Sequence, residues 1–294
     1  MLAEALFIEE LGYDSVWIYD HPIIFGAADC WITLALLAAT TKRIRLIASV
    51  SGICYRNPVL LARMAADVDR ASHGRLVLGL GIGDDPGEFE KLGIPFPGTR
   101  ERQAMLEETI QIVQGLWRGE TLTFQGTHFQ VQQATGYPLP VQHPRVPLLI
   151  GGGGERVTLR QVAQYADMSN FGPHIWTGSA FSLEDAERKY AVLNAYCETF
   201  ARPYDTILRS YYVPALVIAR TQAELAAKLL LYPLSESTIR GSVVGTPEEV
   251  RVHFQRLVNL SIQYFVLCVS HGDTETLEIF AREIMLTIQH PEKR

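Results

Sequence analysis

The chain is short of cysteine, and of any spacing that would give its cysteines a joint task. The four it has, Cys30, Cys54, Cys197 and Cys268, are scattered over 294 residues with no Cys-x-x-Cys among them. Neither a disulfide framework nor a redox dithiol is indicated, and reduced thiols in the cytoplasm are the expectation. His-Glu-x-x-His and comparable ligand spacings are missing too, so no metal site is expected. No apolar run approaches the roughly 20 residues that cross a bilayer, and no secretory leader is recognisable; a membrane is not an expected partner. Basic charge is in deficit, with 26 Lys and Arg against 32 Asp and Glu and a net charge of −6. Without a basic cluster, nucleic acid is not an expected partner either.

What the chain has is apolar residues, 48% of the total, enough for a sizeable core. Short apolar runs alternate with helical patterns. Seven strands are expected, at 15–19, 44–50, 76–80, 146–150, 167–171, 208–218 and 264–269. Between them lie helices near 2–11, 31–40, 58–72 and 99–115, and capped helix starts at Thr221/Glu224 and Thr246/Glu249, with Pro247 at a first helical position. A final helix would turn Leu277, Phe280, Ile284 and Ile288 inward. This alternation argues for parallel β/α units with right-handed crossovers, and the length suits a single (β/α)8 barrel domain over 1–294. Seven strands are one short of eight, so the first strand is expected to be missing from this chain. An excursion at 119–145 carries a hairpin signal, with 122–124 and 128–131 flanking Gln125, Gly126 and Thr127. It is expected to pack outside the barrel or beside its mouth.

Chemistry is expected at the C-terminal ends of the strands. Four unusual loops fall there: Asp20-His21, 50–57, 81–87 and 151–154. In the last, an apolar strand runs into Gly151, Gly152, Gly153 and Gly154, and a helical pattern follows with Val157, Val162 and Tyr165 on its inner side. Backbone N–H groups and a helix dipole would there face an anion, unless the glycines only make a tight turn. No Gly-Lys-Ser/Thr follows, so it is not a Walker loop. His21 either transfers a proton or caps its loop. Asp84 and Asp85 form either an acid pair or a solvated turn. Tyr19, Phe25, Trp31, Tyr55 and Phe171 either wall a flat ligand or pack the core. His128 and His143 read as surface residues.

The motifs Leu-Gly-Tyr-Asp-Ser-Val-Trp-Ile-Tyr-Asp-His (11–21), Tyr-Arg-Asn-Pro-Val-Leu-Leu-Ala-Arg-Met (55–64) and His-Gly-Arg-Leu-Val-Leu-Gly-Leu-Gly-Ile-Gly (73–83) run in order along the chain. So do Glu-Phe-Glu-Lys-Leu-Gly-Ile-Pro-Phe-Pro (88–97), Ile-Gly-Gly-Gly-Gly-Glu (150–155) and Gly-Thr-Pro-Glu-Glu-Val (245–250). Together they resemble the bacterial-luciferase-like superfamily, and within it the branch of F420-dependent oxidoreductases. The resemblance implies hydride transfer between the deazaflavin coenzyme F420 and a small organic substrate. The alternatives are an FMN-dependent monooxygenase and a degenerate, non-catalytic barrel. It also implies His21 beside the coenzyme ring, Asp84 at the place of a catalytic glutamate, and a non-proline cis peptide at Ser49–Val50 behind the ring. Asp20, Ser51 and Asp85 would complete the ring site. Gly151 to Gly154 would hold the phosphate with Arg156 beside it, and Arg145, Arg156 and Arg160 could meet the acidic tail of F420. Tyr19, Asn57 and Asp84 depart from the Ser, His and Glu usual in relatives. The partners implied are a small-molecule substrate and, in a homodimer, a second copy of the chain.

Overall fold

Gly12, at φ +87°, ends α1 (Leu2–Glu10) and turns the chain into β1 (Ser15–Ile18). From there the computed structural model alternates helix and strand, describing residues 1–23 and 28–289. Phe25 lies outside the described residues. The chain gathers into two compact units, one of 1–9, 14–151 and 165–167, the other of 10–13, 152–164 and 168–294.

In the first unit, β1 is followed by α2 (Cys30–Thr40), β2 (Arg45–Ala48), β3 (Ser51–Gly52), α3 (Pro58–Ala71), β4 (Leu76–Gly81), α4 (Pro86–Leu92) and α5 (Thr99–Trp117). Next come β5 (Leu122–Gln125), β6 (Gln130–Ala134) and β7 (Leu148–Gly151). Strands β1, β2, β4 and β7 pair in parallel in that order, and β3 extends the edge of β4 past the end of β2. Leu46, Ile47, Leu76, Leu78, Leu80, Leu148 and Ile150 are buried, the continuous apolar run that a strand covered on both faces needs. Asn57 caps α3 by accepting from Val59 N at 2.9 Å, and Pro58 takes the first helical position. The excursion forms the expected antiparallel hairpin, β5 with β6. The Glu108 carboxylate of α5 accepts from Thr127 N (2.7 Å), His128 N (3.0 Å) and Phe129 N (2.9 Å) in its turn. Beyond the hairpin, Asp69 of α3 accepts from Val141 N at 2.8 Å and Gln142 N at 3.1 Å. The excursion therefore lies on helices α5 and α3.

Glu9 does the same at the end of α1. Its buried carboxylate accepts from Lys42 N (3.0 Å), Arg43 N (2.7 Å) and Ile44 N (2.8 Å), tying α1 to the start of β2. Burial alone would raise its pKa, but the three N–H groups and the Arg43 charge outweigh it and hold Glu9 below the ordinary glutamate value; Glu108 is lowered by its own three N–H groups in the same way. A carboxylate with a depressed folded-state pKa contributes stability above its unfolded pKa and loses it as pH falls through the folded value. Replacing Glu9 by Ala should therefore cost about 1.5–3 kcal/mol in urea unfolding at pH 7. The gap between parent and variant should narrow as the pH is taken below 4; a gap independent of pH would sink this account.

The second unit holds α6 (Thr158–Tyr165), β8 (Met168–Phe171), α7 (Leu183–Thr199), β9 (Leu208–Val213), β10 (Leu216–Ile218) and α8 (Gln222–Leu231). After these come α9 (Glu236–Ile239), β11 (Val243–Gly245), α10 (Pro247–Asn259), β12 (Tyr264–Leu267) and α11 (Thr274–Ile279). Strands β8, β9 and β12 pair in parallel. With β1, β2, β4 and β7 they are the seven strands expected. Both capping boxes form, at Thr221/Glu224 and Thr246/Glu249.

Three expectations change. The strand expected over 208–218 breaks at Pro214, which has no N–H to give a ladder, and β10 pairs instead with β11, a strand the sequence did not suggest. Val157 is exposed rather than inward: α6 begins one residue later, and Leu159 joins Val162 in the core. The final helix turns π-helical over Phe280–Met285, so the phase drifts. Phe280 and Ile284 are buried, but Ile288 is only half-buried. Among the described residues, no helix is long and apolar enough to cross a membrane.

Candidate active site

Three chain segments of the first unit bring polar groups together beyond the ends of β1, β3 and β4. The first carries Asp20 and His21, the second Tyr55 and Arg56, and the third Asp84, Asp85 and Glu88. Phe89 anchors the group. It stacks on Tyr55 at 4.5 Å between centroids with planes 4° apart, and on Phe96 at 4.4 Å. Arg102 lies over the outer face of Phe96 at 3.7 Å and donates to the carbonyls of Ile82 and Gly83, which fixes the loop ahead of Asp84.

At the centre is Glu88, with only 1% of its surface exposed. Its Oε2 accepts from Tyr55 OH at 2.7 Å and lies 2.8 Å from His21 Nδ1, while Oε1 accepts from Ile23 N at 3.3 Å. Burial pushes its pKa up; the hydrogen bonds from Tyr55, His21 and Ile23 outweigh that and hold it below the ordinary value, so Glu88 is an anion. Tyr55 is driven well above the usual phenol range by burial, and by the hydrogen bond to Glu88 and its charge. Asp84 is raised by burial, helped by the neighbouring Asp85 and opposed by His21. Thus Asp84, singled out together with His21 from the sequence, lies within reach of the His21 ring's charge. Asp85 instead caps α4, accepting from Gly87 N at 2.9 Å.

Asp20 is buried and bonded in two places to Arg56, one contact being Nη2–Oδ1 at 3.0 Å, and Arg56 also reaches Asp29 at 3.3 Å. Burial raises the Asp20 carboxyl; Arg56 and a hydrogen bond with Ser51 oppose the rise. Ser51 in turn accepts from the Trp31 indole at 3.1 Å. The Ser49–Val50 peptide is cis, as the family resemblance implied. Val50 sits against three glycines. A Cβ at Gly81 would lie 2.3 Å from Val50 Cγ2, and one at Gly151 2.9 Å from Val50 Cγ1. The third is Gly79, where a Cβ would lie 3.2 Å from Val50 Cγ1 and 2.0 Å from the carbonyl oxygen of Ala48 in β2.

The rest of the glycine loop belongs to the second unit. Gly152 has φ +112° and donates to Asn170 O at 2.8 Å. Gly153 is buried against Gly178, and its carbonyl accepts from the buried Lys189 ammonium at 2.7 Å. Gly154 is exposed; a Cβ there would meet only Thr158, its Oγ1 at 2.9 Å. Arg156 is exposed and its carbonyl accepts from Tyr196 OH at 3.4 Å. Arg145 is paired with Asp167, and Arg160 lies 5.6 Å over Phe200.

Of the aromatic candidates, Trp31 and Phe171 are core residues, Phe171 with Tyr190 at 4.6 Å, and Tyr19 is exposed. His143 is exposed and His128 is half-buried in the hairpin turn. Glu88 and Arg56 had no role in the sequence reading. A signal for Glu88 existed: Asp85-Pro-Gly-Glu88 has the spacing of a capping box. Its Glu would ordinarily reach back to the cap; here it turns to His21 and Tyr55.

The sequence matches the luciferase-like monooxygenase family model over residues 1–237. It is 37% identical over 181 residues to an F420-dependent glucose-6-phosphate dehydrogenase of Kineococcus radiotolerans, covering 60% of this chain and 51% of that protein. The aligned stretch thus spans about half the length of that relative. A protein of the same description from Microbacterium testaceum is 28% identical over 94% of this chain and 89% of its own. Among solved structures, an F420-dependent secondary alcohol dehydrogenase in complex with an F420-acetone adduct superposes with a TM-score of 0.84 at 19% identity, covering 98% of this chain and 94% of that one. At that identity the likeness shows the fold, an α/β barrel of the luciferase-like type.

Proposed function

The chain belongs to the luciferase-like monooxygenase family, and from that premise we propose that it is an F420-dependent oxidoreductase acting on the carbinol or carbonyl carbon of a small organic substrate. The observation that carries the reading is the placing of His21 against the buried, ionised Glu88 and within reach of the charge of Asp84. That is a site for moving one proton. Bound F420 would supply the matching two-electron hydride chemistry. The names of the relatives from Kineococcus radiotolerans and Microbacterium testaceum support this coenzyme.

Each unit, taken by itself, has residues that fit a part of such a group. Val50 is pressed by Gly79, Gly81 and Gly151 into a bulge that suits the support of a flat ring from behind. Gly152 is spent on Asn170, but Gly153 and Gly154 lead on into the N-terminus of α6 with no side chain at the exposed Gly154, a donor set that suits a phosphate. Lys189 braces this loop from its carbonyl side. Arg156 is the arginine best placed for an acidic tail, since Arg145 is engaged with Asp167. In the alcohol-oxidising direction His21 takes the hydroxyl proton; in the reverse direction it returns it.

FMN also offers a flat ring and a phosphate, so the glycine loop does not choose between the two. The test is a fluorescence-quenching titration of the parent and of Gly154→Val with each coenzyme. The parent should bind F420 more tightly than FMN. The variant should keep its unfolding midpoint, since only the Thr158 side chain must give way, and should lose about 10- to 100-fold in F420 affinity. Tight FMN binding without F420 binding would make the protein a flavin enzyme, and failure of both would make it a non-catalytic barrel. Equal affinity in Gly154→Val and parent would remove the phosphate from this loop.

A further inference from the structure

We propose that Glu88 is a positioning residue that fixes His21 as its Nδ1–H tautomer, and that Tyr55 sets how strongly it does so; the catalytic half of this inference rests on the reading of His21 as the proton-handling residue. A carboxylate anion only accepts hydrogen bonds. Glu88 is buried and held ionised, so the 2.8 Å contact between its Oε2 and His21 Nδ1 requires the proton to be on Nδ1. The lone pair of the neutral ring is then on Nε2, and Nε2 is the atom that accepts a proton from substrate. When it does, the ring becomes an imidazolium whose charge is stabilised by Glu88 without any proton moving onto the carboxylate. For balance, the hydroxyl proton goes to Nε2 and the hydride of the carbinol carbon would go to F420, when bound, as the C=O bond forms.

Tyr55 modifies this. Its hydroxyl donates to the same Oε2 at 2.7 Å, and the stack on Phe89 holds it there. Two donors on one oxygen compete for its charge. Oε1 is occupied separately by Ile23 N at 3.3 Å. Tyr55 stays protonated, because burial and Glu88 both push its phenol upward. Among the described residues, the charged and titratable groups around the imidazole include Glu88 from α4, Tyr55 from the segment after β3, and Asp84 from the loop after β4; Asp20, next in the chain, is engaged with Arg56. The arrangement makes opposite predictions for the two partners, which a merely structural cluster would not.

The experiment uses the full chain with 15N-labelled histidine, and the His21 signals are assigned by their loss in His21→Gln. Above the titration range the parent should show a protonated Nδ1 and an unprotonated Nε2. In kcat/KM profiles for the alcohol-oxidising direction, Glu88→Gln should move the acid limb down by about one pH unit, since imidazolium loses its counter-charge. Its kcat should fall about 10- to 100-fold, with KM changing less. Tyr55→Phe should move the same limb up, because all of Oε2 then serves His21. An Nε2–H tautomer in the parent overturns the proposal, as do limbs that move together or stay put. Should Glu88→Gln not fold, the parent spectrum and Tyr55→Phe still decide. Should the parent show the Nδ1–H tautomer but turn over no substrate with F420, the positioning stands and the oxidoreductase reading fails.

Discussion

His21→Ala should lower kcat by roughly 10²- to 10⁴-fold, the range that one positioned acid–base group supplies, while F420 affinity stays within about threefold because no uniform binding contact is removed. Steady-state turnover and a coenzyme titration on the same preparation check both halves. The size of the effect follows from how much of the site is spent on one imidazole. Glu88 is buried and kept anionic against the cost of desolvation. Phe89 and Phe96 stack to hold Tyr55 on the same carboxylate, and Arg102 secures the loop ahead of Asp84. A group so restrained can meet a reacting atom without reorganising, and that is where most of its advantage over water lies. The remaining side chains do not replace it. Tyr55 is pushed too high to act as a base near neutrality, and Asp85 is committed to its helix cap. Turnover equal to the parent's would reduce His21 to a packing residue and leave Asp84 to account for the chemistry. A large loss of coenzyme affinity would instead make His21 a binding contact.

Local physics made much of the fold legible. The run Leu76, Val77, Leu78 reads as a strand buried on both faces, and it is one. Thr246, Pro247 and Glu249 read as a capped helix start because every partner lies within one turn. The hairpin was visible in its turn, though the carboxylate that holds it, Glu108, was not. The same divide runs through the site. His21 stood out by residue type and by its place after a strand. Glu88 lies 67 residues away in the chain, and nothing local says that its carboxylate leaves the cap of α4 for His21. The Asp20–Arg56 pair is equally non-local, 36 residues apart. Aromatic residue type proved a poor guide, because a ring that walls a ligand and a ring that fills a core have the same side chain: Trp31 and Phe171 are buried. The cis Ser49–Val50 peptide came from the motif resemblance alone. The glycines facing Val50 were readable only as glycines, not as the space the bulge occupies.

That space gives the largest expected effect on folding. Gly79→Ala should yield little folded protein, with a cost above about 4 kcal/mol, at the far end of single substitutions. A Cβ at Gly79 would lie 2.0 Å from the Ala48 carbonyl oxygen and 3.2 Å from Val50 Cγ1. The first of these neighbours is backbone. Leu46 and Ile47 of β2 are in register with Leu76 and Val77 of β4, so the carbonyl cannot retreat without pulling the ladder apart. Gly81→Ala is the informative contrast. Its Cβ would meet Val50 Cγ2 at 2.3 Å, a side-chain atom, though on a β-branched residue with little χ1 freedom. Gly81→Ala should therefore be destabilised by about 1–3 kcal/mol, as overpacked cores are, and adding Val50→Ala should recover part of the loss. The same second substitution should do nothing for Gly79→Ala, because a backbone oxygen remains in the way. Thermal unfolding followed by far-UV circular dichroism on the four variants separates the cases. A folded Gly79→Ala with the parent's midpoint, or its rescue by Val50→Ala, would mean that β2 and β4 can part at Ala48. The bulge at Ser49–Val50 would then not be held by the close approach of two backbones, and its fitness to support a coenzyme ring would have to come from elsewhere.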